Sequence, residues 1–302
     1  MTGLSLQSGA ALTTPTALAD AVFAGSLVHV TEVPALRRLG ARVRAILCDC
    51  FNSDNPEAAE AHMAPSVFRK ASTAARKRVA EDSAVQGAWL DVLAAFGHDR
   101  ETTLSDRLRL RVVPSRLAAR GRRTLPLPPH RDSWGAGLDA QVNWWLPLYP
   151  LREGNTMVLW PGLFDTALPN DTAHWSFEAL RADTTGDYPL LPSLTGPPPG
   201  GGRPVLIPPD TLLAFSAAHL HASHVVPDGC SRFSLDCRTL RLPDHEAGRG
   251  APNVDRAPMT PRLEWFTPLE TLRAHVRGEG RPTRAPGASA AGAAHDSMGE
   301  TT

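Results

Sequence analysis

Two short segments carry the side chains best suited to chemistry. One is Pro128-Pro129-His130-Arg131-Asp132. The other is Phe215-Ser216-Ala217-Ala218-His219-Leu220-His221-Ala222-Ser223, followed by Arg232-Phe233-Ser234. A His-X-Asp, a distant His and an Arg shortly beyond it are the parts of a mononuclear iron site. Two imidazoles and one carboxylate on one face of an octahedral metal leave three positions open. Those positions suit a bidentate co-substrate and dioxygen. The Arg supplies a fixed cation for the far carboxylate of a dicarboxylic acid.

Each part has an ordinary reading beside the chemical one. In a strand, residues i and i+2 project to the same face, so His130 and Asp132 could reach one metal. A chain with eleven histidines also contains such a pair by chance, and Pro128-Pro129 fits a surface loop. The distal segment holds His219, His221 and His224. Alternation places His219, His221 and Ser223 on one face and His224 on the other. Alternation by itself does not choose between His219 and His221, and a polar loop of hydrogen-bonding imidazoles fits as well.

Gln141, Asn143 and Trp145 share one strand face, and Val142, Trp144 and Leu146 share the other. The polar set faces either solvent or a pocket, where the Asn143 amide could bind a co-substrate. Arg107, Arg109 and Arg111 also share a face. They form a solvated basic edge, or they bring Arg109 and Arg111 into a pocket mouth to grip a carboxylate. Trp134 either walls the substrate side or packs as an ordinary buried Trp.

The elements that must hold these residues change character along the chain. Residues 1–15 read as a loose leader. From Thr16 to Phe96 apolar residues recur at three- and four-residue spacing, as over 33–47 and 84–96, which predicts helices. After Gly97 the texture becomes short alternating runs punctuated by Pro and Gly: 107–113, 139–149, 156–160, 204–207, 211–216 and 232–240. Many short strands after a helical lead-in predict a mainly β chain with flanking helices, its strands closed into an antiparallel double-sheet barrel. Residues 197–202 form a flexible insert. A last helix is predicted over 268–276, and the Gly-, Ala-, Ser- and Pro-rich stretch from 278 to 302 as disordered. The division is therefore 1–104 helical and packed on the barrel, 105–242 the catalytic core, 243–277 a loop and helix, and 278–302 a tail.

Composition narrows the partners. The chain of 302 residues has 31 Lys+Arg and 31 Asp+Glu, a net charge of zero. That argues against a nucleic-acid surface and leaves a small-molecule substrate. Cys48, Cys50, Cys230 and Cys237 form no disulfide framework and read as reduced thiols of a cytoplasmic protein. No signal peptide is expected, because no basic segment leads. No apolar run reaches membrane-spanning length.

Taken together, the segments over about 105–240 resemble Fe(II)/2-oxoglutarate-dependent dioxygenases of the phytanoyl-CoA dioxygenase-like branch. In that family an Arg commonly follows the distal His by eleven residues and a Ser by two. Here Arg232 follows His221 by eleven, and Ser223 follows it by two. Gly154 to Gly162, ending in Pro161-Gly162, resembles the family's strand and turn, and Asp210 to Phe215 the strand feeding the distal His. The resemblance implies a double-stranded β-helix (jelly-roll, cupin-like) core. It implies Fe(II) held by His130, Asp132 and His221, with 2-oxoglutarate and O2 as co-substrates. Arg232 would pair with the far carboxylate of 2-oxoglutarate, with Ser234 or Ser223 adding a hydroxyl. The implied activity is oxidation of a C–H bond of a small molecule: a hydroxylation, desaturation or cyclisation in bacterial specialised metabolism. Relatives that bind halide replace the Asp, so Asp132 argues against halogenation. Two rivals use the same ligands differently. A cupin-like metal-dependent hydrolase or isomerase would not need Arg232. A non-catalytic ligand-binding barrel would tolerate loss of Asp132.

Overall fold

The structure is a computed structural model, and it describes residues 4–9, 14–31, 33–198 and 200–278. The tail from residue 279 and residue 199 of the expected insert lie outside them. The N-terminal periodicity resolves into four helices: α1 (Pro15–Phe23), α2 (Pro34–Phe51), α3 (Pro65–Glu81) and α4 (Ser83–Ala95). Proline opens the first three, where its missing N–H costs no helical hydrogen bond. Thr14 caps α1 by accepting from the Ala17 N–H at 3.1 Å, and Asp82 caps α4 by accepting from Val85 at 2.9 Å. The apolar stripe of α2, through Leu36, Leu39, Val43, Ile46 and Leu47, is buried against α3, α4 and the sheet.

The strands follow as β1 (Gln7–Ser8), β2 (Val28–Val30), β3 (Thr103–Ser105), β4 (Arg109–Val113), β5 (Gln141–Pro147), β6 (Asn155–Leu159), β7 (Arg203–Pro204), β8 (Leu212–Ser216), β9 (His221–Val225), β10 (Arg232–Arg241) and β11 (Thr267–Pro268). The shorter helices are α5 (Asp132–Ala136), α6 (Phe177–Ala182), α7 (Leu242–Glu246) and α8 (Leu269–Val276). The large sheet runs β1-β2-β8-β5-β10-β3-β11. Ten-residue β10 also pairs along its first half with β4. Only β1–β2 is parallel, so the sheet is mixed. A second, antiparallel sheet runs β7-β6-β9.

Strand alternation builds three layers. Val142, Trp144 and Leu146 of β5, Ala214 of β8, and Phe233 and Leu235 of β10 join the helices in one core. Trp145, Leu213 and Phe215 point the other way and meet Met157 and Leu159 of the small sheet. The order is helices, large sheet, small sheet, and the space between the sheets holds the candidate site.

Two expectations are corrected. Among the described residues helix outweighs strand, so the chain is mixed rather than mainly β. The 204–207 strand contracts to β7, because Pro204, Pro208 and Pro209 lack the N–H groups a longer ladder needs. Strands β2 and β3 have no sequence prediction. Three residues are too few to show a period, and both form by adding to edges built elsewhere.

Candidate metal centre and co-substrate cleft

His130 and His221 face each other across an isolated antiparallel bridge. His130 N donates to His221 O at 3.0 Å and His221 N to His130 O at 2.9 Å. This pairing brings the ring centroids to 4.2 Å. The expectation that His130 and Asp132 share a strand is corrected at this point. After the single bridge residue the chain turns, and Asp132 is the first residue of α5. The turn still delivers the carboxylate. Asp132 Oδ1 lies 3.4 Å from His130 Nε2 and 4.0 Å from His221 Nε2. The three ligand atoms all lie within 4.8 Å of one another.

The hydrogen bonds fix the lone pairs. His130 Nδ1 donates to Pro128 O at 2.7 Å, and His221 Nδ1 to His219 O at 3.0 Å. A carbonyl can only accept, so each Nδ1 carries the proton and each Nε2 is left with a free lone pair. Burial pushes the His221 imidazole down to about 3, with His130 adding to the effect, so it stays neutral. Burial alone would raise the Asp132 carboxyl. Arg238 outweighs it and holds Asp132 well below the usual carboxylate range. Two imidazole nitrogens and one ionised carboxylate turned toward one point form a donor set that fits Fe(II).

His219 is not part of this group. It sits in the turn before β9, outside the ladder, so the alternation expected to align it with His221 does not extend to it. Its Nε2 lies 3.1 Å from Gly25 O, and its ring packs 4.7 Å from Phe164. His224 is exposed on the other face of β9.

Arg232 lines the same cleft as the triad. It is only 7 % exposed, and its Nε and Nη1 have no hydrogen-bond partner. Its one contact of this kind is a long Nη2–Ser223 Oγ approach of 3.5 Å, and its Cζ sits 5.8 Å from the Trp145 ring centroid. Burial pushes it down to about 10, which leaves it cationic at neutral pH. Ser234, next on the same face of β10, is fully buried with an unpartnered hydroxyl. Asn143 lines the cleft, so the polar face of β5 points inward. Its Oδ1 accepts from Gln141 Nε2 at 2.7 Å and its Nδ2 is unpartnered. Buried polar atoms left open this way cost stability unless a ligand completes them.

Of the arginines on β4, only Arg111 lines the cleft; its Nη2 donates to Leu125 O at 2.6 Å. Arg109 is exposed, 3.8 Å from Asp106, and is not among the lining residues. Trp134 is buried on the outer side of the small sheet with Trp160 and Leu220, and donates to Asp255 at 2.7 Å. It lies outside the cleft lining.

The sequence reading passed over Arg238 and Asp236, both of which line the cleft. The signal was available. Positions 232, 234, 236 and 238 alternate along one strand, so whatever face Arg232 takes, Arg238 and Asp236 take too. Burial raises the Asp236 carboxyl, while Arg111, Arg232 and Arg238 pull it back.

No protein-family model matches the chain, and no curated protein matches it. Solved structures do. EvdO2 from Micromonospora carbonacea var. aurantiaca complexed with 2-oxoglutarate aligns at 13 % identity and TM-score 0.38, over 60 % of this chain and 66 % of that one. The non-heme monooxygenase ThoJ aligns at 17 % and 0.39, over 67 % and 70 %. The non-heme alpha ketoglutarate dependent carbocyclase SnoK from nogalamycin biosynthesis aligns at 14 % and 0.36, over 80 % and 90 %. In a further EvdO2 structure the match spans 63 % of that chain, less than two thirds of its length. At identities and scores this low the likeness decides nothing about this chain's activity, which rests on the side chains described above.

Proposed function

We propose that this protein is a non-haem Fe(II)/2-oxoglutarate-dependent oxygenase acting on a C–H bond of a small molecule. Residues 105–242 form its catalytic core, a double-stranded β-helix to which β1, β2 and β11 add strands, with the helices of residues 1–104 packed on it and 243–277 a C-terminal loop and helix. The supporting observation is a single cleft with two kinds of unfinished valence. Three ligand atoms stand at one end, and beside them stands a buried guanidinium whose Nε and Nη1 have no hydrogen-bond partner among the described residues. A metal-dependent hydrolase or isomerase has no use for that cation.

Each residue then has a task. His130 Nε2, Asp132 Oδ1 and His221 Nε2 would hold Fe(II), and a three-ligand set of this kind would leave room for 2-oxoglutarate and O2. Arg232 neutralises the far carboxylate, with Ser234 or Ser223 adding a hydroxyl donor. Asn143 Nδ2 offers a further donor to the co-substrate. Trp145, Met157 and Phe215 keep that part of the cleft apolar, which strengthens the ion pair by excluding water. Bound together, Fe(II), 2-oxoglutarate and dioxygen supply an oxidant for an unactivated C–H bond. Arg111, which also lines the cleft, would meet the substrate. Arg109 and Trp134 belong to the surrounding frame. The substrate is a small metabolite, and the reaction a tailoring hydroxylation, desaturation or cyclisation of the kind used in bacterial specialised metabolism. The four cysteines are free, which suits a reducing, cytoplasmic setting. Among the described residues no helix is long and apolar enough to cross a membrane.

Anaerobic reconstitution with Fe(II) and 2-oxoglutarate tests the reading. A visible charge-transfer band from the chelated keto acid is expected, and O2 should then convert 2-oxoglutarate to succinate. Metal binding without that band would favour the hydrolase or isomerase.

A further inference from the structure

The triad uses only one oxygen of Asp132. The other, Oδ2, accepts from Arg238 Nε at 2.8 Å and lies 3.4 Å from Gln141 Nε2. Arg238 is itself held. Its Nη1 donates to Asp106 Oδ2 at 3.1 Å, and its backbone N–H to Asp106 Oδ1 at 2.6 Å. Asp106 precedes β4 and its side chain is 4 % exposed. The result is a carboxylate–guanidinium–carboxylate chain fixed to β10 at both ends of one side chain. Only a planar fork with donors on different edges can bridge two carboxylates in this way; a lysine ammonium is a single point.

The arrangement matters because of coordination number. A carboxylate that chelates through both oxygens takes two positions on a metal. With two imidazoles, a chelating Asp132 would leave too few positions for a keto acid and dioxygen together. Resting on the metal reading above, we propose that Arg238, anchored by Asp106, is a positioning residue that keeps Asp132 a one-oxygen ligand. It occupies Oδ2, turns Oδ1 toward the imidazoles, and so keeps a coordination position open for the co-substrates. The Gln141–Asn143 amide pair backs the same oxygen from β5.

Co(II), which is stable in air, serves as the probe in the full-length protein. The wild type, His221→Ala, Arg238→Met and Asp106→Asn are titrated with Co(II), and the loaded proteins with 2-oxoglutarate. Circular dichroism checks that each is folded. Wild type should bind Co(II), and His221→Ala should lose it. Arg238→Met should weaken Co(II) binding by about 10–100-fold, the usual effect of removing a group that orients a ligand. It should also alter the visible Co(II) spectrum and weaken 2-oxoglutarate binding to the loaded protein, because the freed Oδ2 competes for the open position. Asp106→Asn, a milder change, should shift all three in the same direction, and it decides the matter if Arg238→Met does not fold. A spectrum and affinities within about twofold of wild type in the folded variants would overturn the proposal while leaving the metal centre intact. Failure of wild type to bind Co(II), or binding unaffected by His221→Ala, would instead overturn the metal reading on which it rests.

Discussion

Arg131 Nε lies 3.3 Å from Asp255 Oδ2, with both side chains almost completely buried. Residue 131 stands between His130 and Asp132 in sequence, so this ion pair ties the metal-binding turn to the segment beyond α7. The Arg131 guanidinium also donates to the carbonyls of Leu163, Phe164, Thr166 and Ala218. Asp255 accepts in addition from Trp134 Nε1 at 2.7 Å and Leu168 N at 3.2 Å. Four stretches of chain therefore meet at one guanidinium.

Breaking this pair should be costly, because the partner is left charged and buried. Arg131→Met is expected to lower stability by about 3–5 kcal/mol, read as a fall in the urea midpoint. Metal affinity should fall with it, since the turn carrying Asp132 loses its anchor. A midpoint equal to wild type would show that the carbonyls and Asp255 find other partners.

The ligand assignment separates His221 from His219. Replacing His130, Asp132 or His221 by Ala should each abolish Fe(II) binding and the keto-acid band. His219→Ala should keep both and lose about 1–3 kcal/mol of stability, the cost of orphaning buried partners such as Gly25 O. The reverse pattern would move the third ligand into the turn.

Arg232→Ala should act on the co-substrate far more than on the metal. Removing one side of a buried charged pair costs about 2–5 kcal/mol, which is roughly tens- to thousands-fold in affinity. Isothermal titration of the Fe(II) or Co(II) protein with 2-oxoglutarate reads this directly. An unchanged affinity would take Arg232 out of the co-substrate site.

Stability should also depend on pH through His98, which is remote from the metal ligands. Burial against Trp144 pushes its imidazole down to about 4, with Arg241 adding to the effect. The unfolded chain keeps an ordinary value near 6.5. Below about 6.5 the unfolded state binds the extra proton, so stability falls as pH drops, over the window from about 6.5 to about 4. The full loss is roughly 3 kcal/mol. Urea titrations of the metal-free protein across that window should show the slope, and His98→Phe should reduce it, leaving the part that buried His219 and His221 contribute.

Asp132 also bears on the product. As a metal ligand it would fill the coordination position a halide needs, so reactions in chloride or bromide buffer should give no halogenated product by mass spectrometry. A halogenated product would remove Asp132 from the ligand set.

Sequence and tertiary structure contributed different parts of this site. Local physics made the helices of residues 15–95 and the β5, β8 and β10 alternations readable, because periods of 3.6 and 2 are set by the backbone itself. Those alternations already grouped Asn143 with Gln141 and Arg232 with Ser234. The choice of His221 needed its eleven-residue spacing to Arg232, and the structure shows why alternation could not make it. His219 lies in a turn, and the strand begins only at His221. Nothing local could show that Asp132 opens a helix or that Arg131 reaches Asp255. The partners of Arg238, Asp106 and Asp132, were equally out of reach. Those contacts join residues 106 to 132 positions apart in sequence. The Arg238 contacts exist because antiparallel pairing lays β10 between β4 and β5, and only the folded sheet sets which side chains then meet.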